Sequence, residues 1–188
     1  MDRIILASSS PRRKQLLEWA EIPFDVVPSY SEEYIPENLP SAEVPLYLAR
    51  EKAEMVSRLI SPGRIILAAD TIVLLDQQIL GKPADRENAI RMLTQLSGQV
   101  HKVITGVVIT DSKKETAFSE TTFVTFHPLG LKDIEHYVDV YKPYDKAGAY
   151  AIQEWIGVIG IHSIQGDFYN VMGLPVSRVI NELKTFRD

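Results

Sequence analysis

Cysteine is absent from the 188-residue chain. That excludes disulfides, thiolate zinc ligands and a cysteine nucleophile together, and it fits a reducing, cytoplasmic setting. Long apolar runs are missing too: no stretch approaches the roughly 20 residues needed to span a bilayer, so no membrane partner is expected. The opening segment MDRIILASSSPRR places its arginines after a short apolar run. A secretory signal needs the reverse order, so none is predicted. Positive charge is in deficit, with a formal net charge of -5. Nucleic acid polymers are bound largely through neutralised phosphates, so none is expected as a partner. A small phosphorylated ligand needs only a local positive pocket. Neither G-x-G-x-x-G nor G-x-x-x-x-G-K-[ST] occurs, which removes the two best-known phosphate loops. The four histidines, His101, His127, His136 and His162, lack metal-ligand spacing and read as structural or surface residues. No G-x-S-x-G nucleophile elbow is present.

What remains is an ordinary globular balance, 45% hydrophobic and 24% charged, with helix and strand patterns interspersed. Residues 3–7 read as a strand, and Ser10-Pro11 opens a helix. Phe24 to Val27 reads as a strand. Ser41 to Ile60 reads as a helix with Ala49, Ala53, Val56 and Ile60 on one stripe. Arg64 to Ala69 forms a strand that ends near Asp70, and Ile72 to Leu75 pairs with Gln78 to Leu80 around Asp76-Gln77 as a hairpin. Asp85 to Leu96 is a helix stopped at Gly98. Two long strands, Val100 to Thr110 and Glu115 to Phe126, precede a helix over Leu131 to Tyr141. Tyr150 to Ile152 and Val158 to Ile161 read as extended segments before a final helix with the stripe Val176, Val179, Ile180 and Leu183. Hairpins mixed with crossovers point to an α/β fold with a mixed sheet.

Several segments carry chemistry. Ser8-Ser9-Ser10-Pro11-Arg12-Arg13 lies between the first strand and the first helix, where free N–H groups and the helix dipole favour an anion. Two arginines in a first turn oppose the bare dipole but make sense around a phosphate; a capped helix with two solvated arginines is the other reading. Asp70 interrupts an apolar run and must be paired, hydrogen-bonded or metal-bound if it is buried, unless it merely caps a turn. Lys52 lies beside the apolar stripe of its helix, and Lys82 stands between Gly81 and Pro83; for either one alone a plain surface lysine is the default reading. Glu32-Glu33 reads as a solvated loop. The segments Asp145 to Gln153 and Gly166 to Pro175 read by default as structural turns, although the small residues of the former would also let a backbone approach a ligand. Without Cys or paired His, any metal would be held by oxygen, which favours magnesium or manganese.

Together these segments resemble the Maf family of nucleoside triphosphate pyrophosphatases, also described as septum-formation inhibitor proteins. The likeness runs from Ile5 to about Pro175. Its carriers are SSSPRR at Ser8 to Arg13, Glu33, the helical Ala49-Arg50-Glu51-Lys52-Ala53, Ala69-Asp70-Thr71 and Gly81-Lys82-Pro83. Leu96-Ser97-Gly98, Asp145 to Gln153, and Gly166-Asp167 through Gly173-Leu174-Pro175 complete the set. The resemblance implies a single domain over residues 1–188 with an elongated mixed sheet, flanking helices and two lobes around a cleft, as in inosine triphosphatases. It implies a metal-dependent cut between the α- and β-phosphates of a nucleoside triphosphate, and a homodimer. Carried over, Asp70 is the general base and Glu33 helps it hold a divalent metal. Arg12, Arg13, Lys52 and Lys82 grip the triphosphate, and Ser8 and Ser10 line the pocket.

The loop from Asp145 to Gln153 is similar to the family branch acting on dTTP and UTP, in which Arg12, Thr71 and Gln153 are associated with substrate choice. An amide side chain can donate to a pyrimidine carbonyl and accept from its N3–H. Ala151 and Glu154 depart from that branch, which usually has glycine at both positions. The expectation is hydrolysis of dTTP and UTP, extending to modified pyrimidine nucleotides, as nucleotide-pool housekeeping. The rival is a nucleotide-binding regulator of division that does not turn its ligand over. Pure binding has no need of Asp70, Glu33 and both lysines together.

Overall fold

The first apolar run becomes β1 (Ile4–Leu6), buried throughout. Three serines then separate it from α1 (Pro11–Trp19). Pro11 occupies the first turn, where its missing N–H leaves no intrahelical bond unmade, and Ser10 Oγ accepts the Arg13 N–H at 3.4 Å. A short β2 (Phe24–Val26) follows, then a 3-10 turn at Ser41–Glu43 that runs into α2 (Val44–Ser57). β3 (Ile66–Leu75) and β4 (Gln78–Leu80) form the expected hairpin, with Asp76 at φ +52°, a left-handed turn residue. Next come α3 (Arg86–Leu96), capped by Asp85, and the long strands β5 (Val100–Thr110) and β6 (Glu115–Phe126). The chain closes with α4 (Leu131–Tyr141), α5 (Trp155–Gly160), β7 (Ile161–Gln165), α6 (Phe168–Met172) and α7 (Val176–Arg187). This computed structural model describes residues 3–29, 34–111 and 113–187.

The seven strands form one sheet in the order β2-β1-β3-β5-β6-β7, with β4 on β3. β1 pairs parallel with β2 and β3, while β4 on β3 and β7 on β6 are antiparallel. The fold is therefore mixed α/β, as expected. Two compact units are distinguishable. The first takes in Met1–Thr71, Thr105–Glu120 and Gly173–Asp188; the second takes in Ile72–Ile104 and Thr121–Met172. Among the described residues no helix is long and apolar enough to cross a membrane.

In the first unit the α2 stripe Ala49, Ala53 and Val56 packs on Ile5, Ala7, Ile66, Ala68 and Val108. The small side chains let the helix settle close to the strands. Closest approach comes at the start of α2: a Cβ on Gly106 would stand 2.3 Å from Leu46 N and 2.4 Å from Leu46 Cα. In the second unit α3 packs against α4, burying Leu93, Leu96, Ile134, Tyr137 and Val138. His101 is buried there edge-on to Phe126 and Tyr150.

Three expectations need correction. Asp70 does not mark a strand end: β3 runs unbroken through Asp70 and Thr71. The extended readings at Tyr150 to Ile152 and Val158 to Ile161 also fail. The former is a buried non-ladder segment, and the latter lies mostly in α5, with β7 beginning only at Ile161.

Candidate active site

Pairing of β1 with β3 stops at Leu6 and Leu67, followed by one bond from Ala7 N–H to Leu67 O at 2.9 Å. β3 continues, so Asp70 and Thr71 lie beyond the last β1 pair, while the β1 chain turns away through Ser8, Ser9 and Ser10. A strand's carboxyl end followed by a helix start is where open α/β sheets receive ligands, and α1 has no acid in its first turn to satisfy the dipole.

Arg13 organises this turn. It is only 8% exposed, and its guanidinium spreads over three acceptors. Nε donates to Gly173 O at 2.8 Å, Nη1 to Ser8 Oγ at 3.2 Å and Nη2 to Thr71 Oγ1 at 3.0 Å. Thr71 Oγ1 also meets Thr105 Oγ1 at 2.9 Å, and Ser8 Oγ accepts the Ser10 N–H at 3.2 Å. Ser8, Ser10, Arg13 and Thr71 are thus one hydrogen-bonded group. Arg12, half-buried, follows Pro11 in the same first turn of α1.

Asp70 points the other way. Successive strand residues alternate faces, and Asp70 shares the face of Ile66 and Ala68, against which α2 packs. There its Oδ1 pairs with Lys52 Nζ of α2, with side-chain exposures of 13% and 15%. An ion pair this sheltered is not a solvated surface contact. It explains how a carboxylate sits inside an apolar strand without breaking it. The expectation that Asp70 must be paired if buried is met, and its partner is another of the singled-out residues.

Lys82 and Gln153 belong to the second unit and are exposed. Lys82 follows β4. Gln153 occupies the turn after Ile152, closed by Glu154 N–H to Ala151 O at 3.1 Å. Glu33 lies outside the described residues. Two groups escaped sequence reasoning: Thr105, fully buried beneath Thr71, and the Gly173 carbonyl that anchors Arg13. Thr105-Gly106 interrupts an apolar strand much as Asp70-Thr71 does, and that interruption was the available signal.

A family model described as Maf-like protein matches residues 3–186. The chain belongs to the Maf family. Among curated Maf relatives, the dTTP/UTP pyrophosphatase of Parabacteroides distasonis is 50% identical, covering 98% of this chain and 96% of its own. The dTTP/UTP pyrophosphatase of Cytophaga hutchinsonii is 52% identical, covering 96% of this chain and 83% of its own. A solved structure, a nucleoside-triphosphatase / dITP/XTP pyrophosphatase from Mycobacterium abscessus, is 19% identical over 68% of this chain and 76% of its own. Its TM-score is 0.42.

Proposed function

We propose that the chain hydrolyses nucleoside triphosphates to monophosphate and pyrophosphate, preferring dTTP and UTP. The observation that carries this is the sheltered Lys52–Asp70 pair on β3, one residue from the Arg13–Thr71–Ser8 group at the start of α1. A carboxylate and a cluster of phosphate-compatible donors share two consecutive strand residues beyond the end of β1. The names of relatives about half identical over nearly the whole chain agree with the reading.

In this mechanism the triphosphate lies against the Ser8 to Ser10 turn, with Arg12 and Arg13 offering guanidinium forks and the α1 amides offering N–H donors. Asp70 accepts a proton from water as the water oxygen attacks the α-phosphorus. The bond from that phosphorus to the bridging oxygen breaks, and pyrophosphate leaves with the electron pair. Lys52 and Lys82 are the cations proposed to offset the charge that builds on the departing group. Gln153 reads the pyrimidine through its amide.

A divalent metal is part of the proposal, and the donor chemistry fits it. No group of three His, Cys, Asp or Glu suited to a metal occurs among the described residues. Magnesium commonly takes one or two carboxylates, keeps waters and finds its other ligands on substrate phosphates. Asp70, with Glu33, would hold such an ion, which would supply positive charge to the phosphates. The proposal also includes modified pyrimidine nucleotides as substrates, a housekeeping role and a homodimeric state.

The deciding experiment incubates purified protein with canonical and modified nucleoside triphosphates plus magnesium or manganese, with products separated by chromatography. Monophosphate and pyrophosphate from dTTP and UTP, abolished by chelator, are expected. Orthophosphate release would refute the bond assignment. Folded protein that turns over no triphosphate would refute the activity and leave the binding regulator.

A further inference from the structure

Gln153 is exposed, yet the turn that carries it is pinned from beneath by one buried hydroxyl. Tyr137 of α4 is fully buried, and its ring stacks on Tyr141 with centroids 5.0 Å apart. Its Oη accepts the Ala151 N–H at 3.2 Å and donates to Glu154 Oε2 at 2.5 Å. Ala151 and Glu154 are the two ends of the turn around Gln153, closed by the bond from Glu154 N–H to Ala151 O. Burial first, and then the bond to the Glu154 carboxylate, push the Tyr137 hydroxyl well above its ordinary pKa, so it stays a donor at neutral pH.

The same carboxylate is held from its other oxygen. Lys146 Nζ, 10% exposed, lies 3.4 Å from Glu154 Oε1 and 2.7 Å from Asp145 Oδ1. The loop between these anchors has little freedom. Gly148 stands at φ +68° with its position against Val73, and Ala149 takes φ +59°, a left-handed conformation unusual for alanine. Strain of this kind persists only where surrounding contacts over-determine the backbone. Gly157 closes the far end: a Cβ there would stand 1.9 Å from Ile152 O. The result is a rigid turn whose exposed tip is a single amide side chain. Ala151 and Glu154, the two departures from the glycine pattern of the family branch, are the two residues Tyr137 grips.

We propose that Tyr137, acting through Ala151 and Glu154, is a positioning residue for Gln153 and thereby sets base selectivity. This rests on the proposed function, in which Gln153 reads the base. The hydroxyl does not touch substrate. It fixes the angle at which the amide is presented, and hydrogen-bond discrimination between bases depends on that angle.

The test is a double-mutant cycle of Tyr137→Phe and Gln153→Ala, with kcat and KM measured for dTTP, UTP, CTP and dCTP, and thermal unfolding in parallel. Tyr137→Phe keeps the ring and removes only the hydroxyl. It is expected to raise KM for the preferred bases about three- to tenfold, to narrow their advantage over the cytosine nucleotides, and to leave kcat nearly unchanged. In the Gln153→Ala background the same substitution should leave the base ranking where Gln153→Ala put it. Glu154→Gln, which can still accept from the hydroxyl, should recover most of the discrimination lost in Glu154→Ala. A discriminating parent whose ranking survives Tyr137→Phe overturns this inference alone. Additive effects of the two substitutions on ranking overturn it as well, since they place Tyr137 outside the Gln153 pathway. A parent that treats all four nucleotides alike overturns the proposed selectivity, and this inference with it.

Discussion

Acid should destabilise this protein through one histidine, and the size of the effect can be worked out. His101 is 1% exposed and lies edge-on to Phe126 and Tyr150, with Nε2 2.7 Å from Tyr150 Oη. Its Nδ1 has no hydrogen-bond partner among the described residues. Burial penalises the imidazolium and lowers the His101 pKa from 6.5 to about 4. Between those values the unfolded chain binds a proton that the folded chain refuses. The contribution is therefore complete above 6.5 and declines as pH falls toward 4. At about 1.36 kcal/mol per unit, the loss between about pH 7.5 and about pH 4.5 comes to about 2.5 kcal/mol. That is a large share of a domain's typical 5–15 kcal/mol. Denaturant unfolding at both pH values, for the parent and for His101→Gln, measures it. The variant should be less stable at neutral pH, having disturbed a buried contact, yet should lose about 2.5 kcal/mol less than the parent on acidification. Asp25 beside Arg3 and Arg64, Asp139 beside Arg86, and Asp111 under the Lys114 and Lys113 amides all have lowered pKa values. Their contributions persist above 3.8 and fade only below it, outside the window. Equal acid losses in parent and variant would refute the assignment to His101.

Three further substitutions probe the site and its support. Asp70→Asn preserves size and removes both the proposed base and the charge facing Lys52; turnover should vanish, the thermal midpoint should fall because Lys52 loses this sheltered countercharge, and substantial residual hydrolysis would end the role given to Asp70. Arg13→Lys replaces a fork that spans Gly173 O, Ser8 Oγ and Thr71 Oγ1 with a point charge able to satisfy only part of that set. A lower melting temperature together with a raised KM for triphosphate is expected, and an unchanged KM would make Arg13 purely structural. Gly106→Ala drives a Cβ into the Leu46 backbone and should cost about 3 kcal/mol or more, read as a drop in the denaturant midpoint.

Most of the fold was legible because its signals are local. Ser10-Pro11 is a cap and a first-turn proline, and both are seen; Asp76-Gln77 between two apolar runs is a hairpin, and Asp76 takes the positive φ such a turn needs. The errors arise where hydrogen bonding and close packing override strand-like composition. Trp155-Ile156-Gly157-Val158-Ile159-Gly160 has the composition of a strand, but Glu154 O accepts the N–H groups of Gly157 and Val158, which starts a helix instead. Only a glycine fits where that helix passes the Ile152 carbonyl. Tyr150 to Ile152 looks like a buried strand because it is buried, but its Ala151 N–H is answered by the Tyr137 hydroxyl rather than by a neighbouring strand.

Asp70 shows where local reasoning stops for the site. A carboxylate in an apolar run points to a strand end, since backbone pairing and charge burial rarely coincide. The strand survives because Lys52, one helix away and 18 residues earlier, supplies the countercharge. Each residue stands out alone in the sequence, and only the packing of α2 through its alanines makes them a pair. Thr105 is the converse. It is the less conspicuous interruption, because a threonine suits a strand by propensity, yet its hydroxyl is fully buried and meets Thr71 Oγ1 at 2.9 Å. With Arg13 donating to that same Thr71 oxygen, the Thr71 proton must go to Thr105 or to Gly173 O, 3.4 Å away. In the contact with Thr105 either hydroxyl can donate, while Thr71 is placed to donate to the Gly173 carbonyl that Arg13 Nε also reaches. A side chain that looks like ordinary strand material therefore completes the hydrogen-bonded group around Arg13 from beneath, through a contact between residues 34 apart in the sequence.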